Sequence, residues 1–272
     1  MQSKIIFSLF IFVVKKAKTV PPSVILYFFL ISSGFMGKFL VESVNKYEGM
    51  NLAGVVDDFK DFDEEFVYKT FEDVPNKIDV IIDFSHPSNL DKVLTYAIKT
   101  KTPVLIATTG LTEDDYKKID NASKEIAVLT PTNTSLGVNL LNELMKYIVP
   151  VLADTYDIEV IEKHHNKKLD SPSGTAKTLI EKIQNSLPEP RALVHGRDGM
   201  AKREKQEIGV HAVRGGSIVG EHSVIFAGED EIIEIKHEAI SKKIFSNGAC
   251  KGAAWLVGKP AGYYEMKEVL GL

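Results

Sequence analysis

The chain has 272 residues, 44% of them hydrophobic and 26% charged, with a net charge of -4 and a pI near 6.0. That length allows one large domain or two modest ones, and the charge balance excludes a general nucleic-acid binder. The single cysteine, Cys250, excludes an internal disulfide and a cysteine-rich zinc site, and it fits a reducing, cytoplasmic setting.

Ile5–Val14 is a largely apolar run preceded by Lys4. It has the start of a signal peptide, but Lys15, Lys16 and Lys18 follow where small residues should mark cleavage. A second run, Val24–Ile31, lies beyond Pro21 and Pro22. Neither approaches the ~20 residues of a spanning helix, so no membrane partner is expected. Residues 1–22 read as an atypical N-terminal extension ahead of a first core strand at Val24–Ile31.

From there to Thr134 short apolar runs alternate with amphipathic stretches. A helix is expected from about Met36 to Lys46, with Phe39, Leu40 and Val44 on one face. Strands are expected at Leu52–Val56, Val80–Phe84, Val104–Ala107 and Ile126–Thr130, with helices near Leu90–Ile98 and Glu113–Ser123. Continuous apolar strands separated by helices imply a parallel, doubly wound α/β sheet. After Ser135 the rhythm changes. A helix at Leu140–Leu152 leads to a strand at Asp157–Glu162, and Ala176, Leu179, Ile180 and Ile183 recur at helical spacing. Three longer strands follow, at Glu207–Val213, His222–Ala227 and Glu231–His237, then a helix at Phe245–Val257. Strands without intervening helices imply an α+β unit with an open mixed sheet. The expected domains are 23–135 with 245–272, and 136–244.

The densest motif is Glu162–Ala176, EKHHNKKLDSPSGTA. Ser171-Pro172-Ser173-Gly174-Thr175 is the start of a capped helix. Its N–H groups and dipole also favour a carboxylate or phosphate. His164 and His165 are neighbours and point to opposite sides of an extended chain, so at most one shares a face with Lys168. Their spacing matches no common zinc pattern. Earlier, Ile31-Ser32-Ser33-Gly34-Phe35-Met36-Gly37 is a glycine turn from strand to helix that suits a pyrophosphate, although Ile31 stands where its first glycine would fall. Asp57 and Asp58 close the next strand, where an acid accepts ribose hydroxyls and repels a 2′-phosphate; this favours NADH over NADPH. Two further turns, Ala107-Thr108-Thr109-Gly110 and Pro131-Thr132-Asn133-Thr134, end strands where α/β ligands bind. Val213–Gly216 and Gly220–His222 read as a hairpin that is either a solvated turn or has a role in supporting the substrate site or a subunit contact.

EKHHNKKLDSPSGTA closely resembles the signature of the dihydrodipicolinate (4-hydroxy-tetrahydrodipicolinate) reductase family of lysine and diaminopimelate biosynthesis. GFMG, IDFSHP at Ile82–Pro87, ATTG at Ala107–Gly110, NTSLGVN at Asn133–Asn139 and VRGGSIVGEH at Val213–His222 extend the likeness. It implies a Rossmann-like domain binding NADH or NADPH, and a second domain that binds a small cyclic dicarboxylate and builds a homotetramer. It also implies that His164 is the proton donor/acceptor and Lys168 the proton donor, and that His165, Ser173, Gly174 and Thr175 bind substrate. Ser33, Gly34, Phe35, Met36, Asp57, Ala107, Thr108, Thr109, Pro131, Thr132, Asn133 and Thr134 are implied to line the cofactor. His86 and Lys242 fall where some relatives carry arginine. One economical reading of Ile31 is that residues upstream of about Ser33 are not ancestral, through a shifted frame or start. The alternative function is a nucleotide-binding relative impaired by a strained turn at Ile31.

Overall fold

The computed structural model describes residues 9–13, 27–32, 35–47, 49–56, 67–68, 70–71, 73 and 78–272. In chain order the elements begin β1 (Leu9–Val13), β2 (Tyr27–Ser32), α1 (Phe35–Lys46), β3 (Leu52–Val56), β4 (Val67–Tyr68) and β5 (Ile81–Phe84). They continue α2 (Leu90–Thr100), β6 (Val104–Ile106), α3 (Glu113–Ser123), β7 (Ala127–Leu129), α4 (Leu136–Leu152), β8 (Asp157–His164) and α5 (Gly174–Gln184). Then come β9 (Ala192–His195), β10 (Glu207–Arg214), β11 (Glu221–Ala227), β12 (Ile232–Glu238), α6 (Lys243–Leu256), β13 (Gly262–Tyr264) and α7 (Met266–Leu270). Contacts divide the described residues into one unit up to Ser135 together with Lys243–Leu272, and a second unit over Leu136–Lys242. No helix among the described residues is long and apolar enough to cross a membrane.

The first unit is an eight-stranded sheet in the order β13-β7-β6-β5-β2-β1-β3-β4. Apart from β1, its strands pair in parallel. β2 still pairs directly with β3 at Tyr27 and Leu52 before β1 enters between them, antiparallel to both. So Leu9–Val13, within the segment read as an extension, is a strand of the sheet. Setting β1 aside, β2 lies at the centre, with successive strands outward on each side. That is the doubly wound pattern, and its topological switch point falls between β2 and β5. β5, β6 and β7 are wholly apolar or nearly so because both of their faces are covered; Ile81, Ile82, Val104–Ile106 and Val128 are fully buried.

The structure corrects the reading of Ile31. It is extended inside β2, paired with Phe84 on one side and Phe10 on the other. The strand runs on through Ser32, so position 31 needs no left-handed backbone, and a β-branched residue suits it. Lys101 is the one described non-glycine residue with a positive φ. Ser33, Gly34 and Asp57 lie outside the described residues.

α6 closes the first unit against α1, where Ser43 Oγ bonds Ser246 Oγ and Asn247 Oδ1, each at 2.8 Å. Small residues allow that helix to approach closely. A Cβ on Gly248 would stand 1.8 Å from the carbonyl oxygen of Thr134. Cys250, in the same helix, is fully buried, and burial pushes its thiol up to about 12, so it is chemically inert at neutral pH.

The second unit is a five-stranded mixed sheet, β12-β11-β8-β10-β9, with α4 and α5 on one face. β8 alternates strictly between half-buried and buried residues. Ile158 and Val160 join Ile208, Val210, Val224 and Phe226 beneath Leu141, Met145, Val149, Leu179 and Ile183. Here too the structure corrects a reading. β10 and β11 do not form a hairpin; each pairs with β8, from opposite sides, β10 in parallel and β11 antiparallel. The Gly215–Gly220 connection therefore crosses the end of β8.

Gly248→Ala is expected to destabilise the protein by about 1–3 kcal/mol, since helix and Thr134 backbone must separate. Urea denaturation followed by circular dichroism checks this; an unchanged midpoint contradicts the close approach.

Candidate active site

The period of two along β8 places Glu162 and His164 on the same face as Ile158 and Val160. They are the polar continuation of an apolar stripe. Strand pairing sets Ala212 beside Glu162 and Arg214 beside His164 from β10. From β11 it sets His222 beside Glu162, and β12 adds His237 beside His222. One end of an otherwise apolar face thus becomes a cluster of one carboxylate, one guanidinium and three imidazoles.

Glu162 is fully buried and organises that cluster. Its Oε1 accepts from Arg214 Nη2 at 2.7 Å and from the Ser173 amide at 3.0 Å. Its Oε2 accepts from Arg214 Nη1 at 2.7 Å and bonds His164 Nδ1 at 2.6 Å. Burial alone would push this carboxyl up, but the Arg214 fork, the imidazole and the amide outweigh it and hold the carboxyl below its usual range. Burial also pushes His164 down, the Glu162 bond pulls it back up, and Lys168 and Arg214 push down again; the net position is below an ordinary imidazole. A Cβ on Gly220 would come within 3.0 Å of His164 Nε2, so a side chain there would press on that nitrogen.

The signature loop is tied down at several points. Gly215 N donates to His164 O at 2.9 Å, and Asn166 N donates to Gly216 O at 3.3 Å. Gly216 has φ +47, a conformation that favours glycine. Arg214 Nη2 also donates to Asp170 O at 2.7 Å. Lys168 is partly buried and pairs with Asp170 at 2.7 Å. Ser173 caps α5, its Oγ accepting from Ala176 N at 3.1 Å and lying 2.9 Å from His222 Nε2. His222 is buried, and burial together with the neighbouring His164 lowers it to about 4, so it is neutral at physiological pH. The Ser173 amide is committed to Glu162. The positive end of the α5 dipole is therefore presented at Gly174, which is exposed, and Thr175, which is half-buried. His165 is half-buried, and its Nδ1 has no hydrogen-bond partner among the described residues. Among the described residues no cluster of three or more His, Cys, Asp or Glu side chains is arranged to hold a metal.

In the first unit the residues expected at a cofactor follow the carboxyl ends of β6 and β7. Ala107 and Asn133 are half-buried, Thr108 and Thr134 buried, Thr109 and Thr132 exposed, and Pro131 half-buried. Phe35 and Met36 open α1, the helix that follows β2 in the chain. A residue that sequence reading missed, Asp83, ends β5 fully buried. Its Oδ1 accepts from Ser85 N at 2.8 Å, and its backbone carbonyl accepts from Ala107 N at 2.7 Å, which ties the end of β5 to the turn after β6. The signal in the sequence was a lone acid ending the apolar run IDVIIDF.

The family models and the sequence relatives agree on one family. The model of the dihydrodipicolinate reductase N-terminus matches residues 32–134, and that of its C-terminus residues 137–270. The chain belongs to the dihydrodipicolinate reductase family. It is 47% identical over 241 residues to the 4-hydroxy-tetrahydrodipicolinate reductase of Clostridium novyi (strain NT), covering 88% of this chain and 95% of that one. It is 48% identical over 238 residues to the enzyme of the same name from Brachyspira hyodysenteriae, covering 88% and 96%. A dipicolinate-bound dihydrodipicolinate reductase from Paenisporosarcina sp. TG-14 superposes with a TM-score of 0.72 at 22% identity, over 86% of this chain and 94% of that one. That last likeness is one of fold.

Burial pushes the Asp83 carboxyl up to about 6. The folded state therefore holds this proton more tightly than the unfolded state, and stability is lost as pH rises from about 4 through about 6. Asp83→Asn removes that loss while keeping an acceptor for the Ser85 amide. The variant is expected to be more stable than the parent by on the order of 2–3 kcal/mol above pH 7, with no gain at pH 4. Thermal melts across that range check the sign; a gain that grows towards acid contradicts it.

Proposed function

We propose that this chain reduces 4-hydroxy-tetrahydrodipicolinate, using NADH or NADPH, in lysine and diaminopimelate biosynthesis. The observation that carries the reading is the assembly of His164, the Lys168 loop and the α5 N-terminus around one buried carboxylate, in a chain of this family. The nicotinamide supplies a hydride when bound. The residues that would hold the cofactor are Ser33, Gly34, Phe35, Met36, Asp57, Ala107, Thr108, Thr109, Pro131, Thr132, Asn133 and Thr134. Asp57, as the acid after the second strand of the doubly wound set, favours NADH, because a 2′-phosphate beside it is repelled.

The division of labour follows from charge and reach. A cyclic dicarboxylate needs two anion sites. The start of α5 at Gly174 and Thr175, with the Ser173 cap, supplies one through backbone dipoles. Lys168 and His165 supply cationic and imidazole partners for the ring and its second carboxylate. A conjugated imine that has accepted hydride becomes an electron-rich enamine and must be protonated. His164, with Nδ1 on Glu162, can hold and release a proton at Nε2, and Lys168 can donate directly. The impaired alternative has lost its premise, since Ile31 is extended in β2. The outward face of the second sheet carries half-buried Ile161 and Ile225 among its charges, and we assign it to the homotetramer contact.

His164→Ala and Lys168→Ala are each expected to lower kcat by about 10²–10⁴-fold with little change in the Kd for NADH. Steady-state oxidation of NADH and NADPH with enzymatically generated 4-hydroxy-tetrahydrodipicolinate measures both the variants and the cofactor preference. Near-normal turnover in both variants contradicts the acid assignment.

A further inference from the structure

We infer that Glu162, gripped by Arg214, is a positioning residue that dictates which ring nitrogen of His164 carries a fixed proton and which one exchanges it. This rests on the proposed role of His164 as an acid. An ionised carboxylate can only accept hydrogen bonds, so the nitrogen 2.6 Å from it must be an N–H. That nitrogen is Nδ1, which leaves Nε2 as the one position of the ring that changes protonation.

Arg214 makes the arrangement persistent. Its two Nη groups take one oxygen of Glu162 each, both at 2.7 Å, while the Ser173 amide takes a second site on Oε1. With His164 on the second site of Oε2, every acceptor direction is filled. Neither the carboxylate nor the imidazole can turn without stranding a donor away from water. Arg214 lies in VRGGSIVGEH, which by sequence is compatible with a solvated turn, a support for the substrate site or a subunit contact. The structure assigns it the second.

The groups facing His164 pull in both directions. Glu162, on its own strand, favours the imidazolium. Arg214 from β10, Lys168 from the following loop and neutral His222 from β11 do not, and Asp170 tempers Lys168. His237 on β12 lies one strand further out, beside His222. Glu162 is therefore the one facing group that both holds the ring and raises its proton affinity.

Two measurements on the full-length protein test this. Nitrogen-15 spectra of the histidines, with His164→Ala to assign the signal, should show Nδ1 of His164 protonated throughout the titration and Nε2 alone titrating. An Nε2–H neutral tautomer in the parent protein overturns the inference whatever the variants do. Glu162→Gln can offer Nδ1 a donor in place of an acceptor. It should lose at least tenfold in kcat and move the basic limb of the kcat profile down by about one pH unit or more, with the Kd for NADH unchanged. Glu162→Asp should recover part of kcat and return the limb towards its original position. If His164→Ala is inactive while Glu162→Gln keeps the parent tautomer and profile, the positioning role is wrong and the acid role stands. If His164→Ala turns over normally, the acid role itself has failed.

Discussion

A single ionised carboxylate with no contact with water sets the terms for the second unit. Glu162 sits at the end of the central strand β8 and receives four hydrogen bonds, from Arg214 on β10, His164 on β8 and the cap of α5. A buried charge of this kind costs several kcal/mol unless every acceptor direction is met. The elements that meet it are the ones that carry the groups proposed to react. Removing one partner leaves an uncompensated charge, so the site is held in one arrangement more tightly than its loops alone would hold it. The apolar stripe of Ile158 and Val160 fixes the register that brings Glu162 there, and a slip of one residue would turn it to the other face.

The first unit solves a different problem with similar means. Its sheet ends in the turns proposed to hold the cofactor, and those turns are tied together from behind. Asp83 joins the turns after β5 and β6 through its carboxylate on Ser85 N and its backbone carbonyl on Ala107 N. Gly248 lets α6 press directly on the backbone of Thr134. Neither residue needs to touch a cofactor to influence its binding, because both set the position of backbone that would. The switch point between β2 and β5 survives the entry of β1, which wedges in on the far side of β2.

Most of the fold was legible because many of its strands are apolar or alternating, and α3 and α5 begin at clear caps, Thr112 and Ser173. Glu113–Ser123 and Leu52–Val56 fall where their patterns place them. What pattern could not convey was pairing. β10 and β11 look like a hairpin around Gly215-Gly216, yet β8, some fifty residues earlier in the chain, lies between them. Short elements such as β9 and β13 carry too few residues to display a period, and they passed unnoticed. The loop with His164, Lys168, Ser173, Gly174 and Thr175 was visible as chemistry in a single stretch. Glu162 and His222 were not, because one reads as the last residue of a strand and the other as part of a turn. Their importance lies in partners 11 and 49 positions away. Ile31 was misjudged for the same reason: position relative to a motif suggested a turn, whereas its strand partners Phe84 and Phe10 keep it extended.

The central claim is that one buried carboxylate presents a proton donor and an anion-binding helix start to the same small dicarboxylate. A crystal structure with pyridine-2,6-dicarboxylate bound tests it most directly. The account predicts one ligand carboxylate on the first turn of α5 at Gly174 and Thr175, Lys168 turned from Asp170 towards the ligand, and His164 Nε2 facing the ring with all four Glu162 bonds intact. A ligand bound elsewhere, or one that draws His164 off Glu162 to reach it, would contradict the claim.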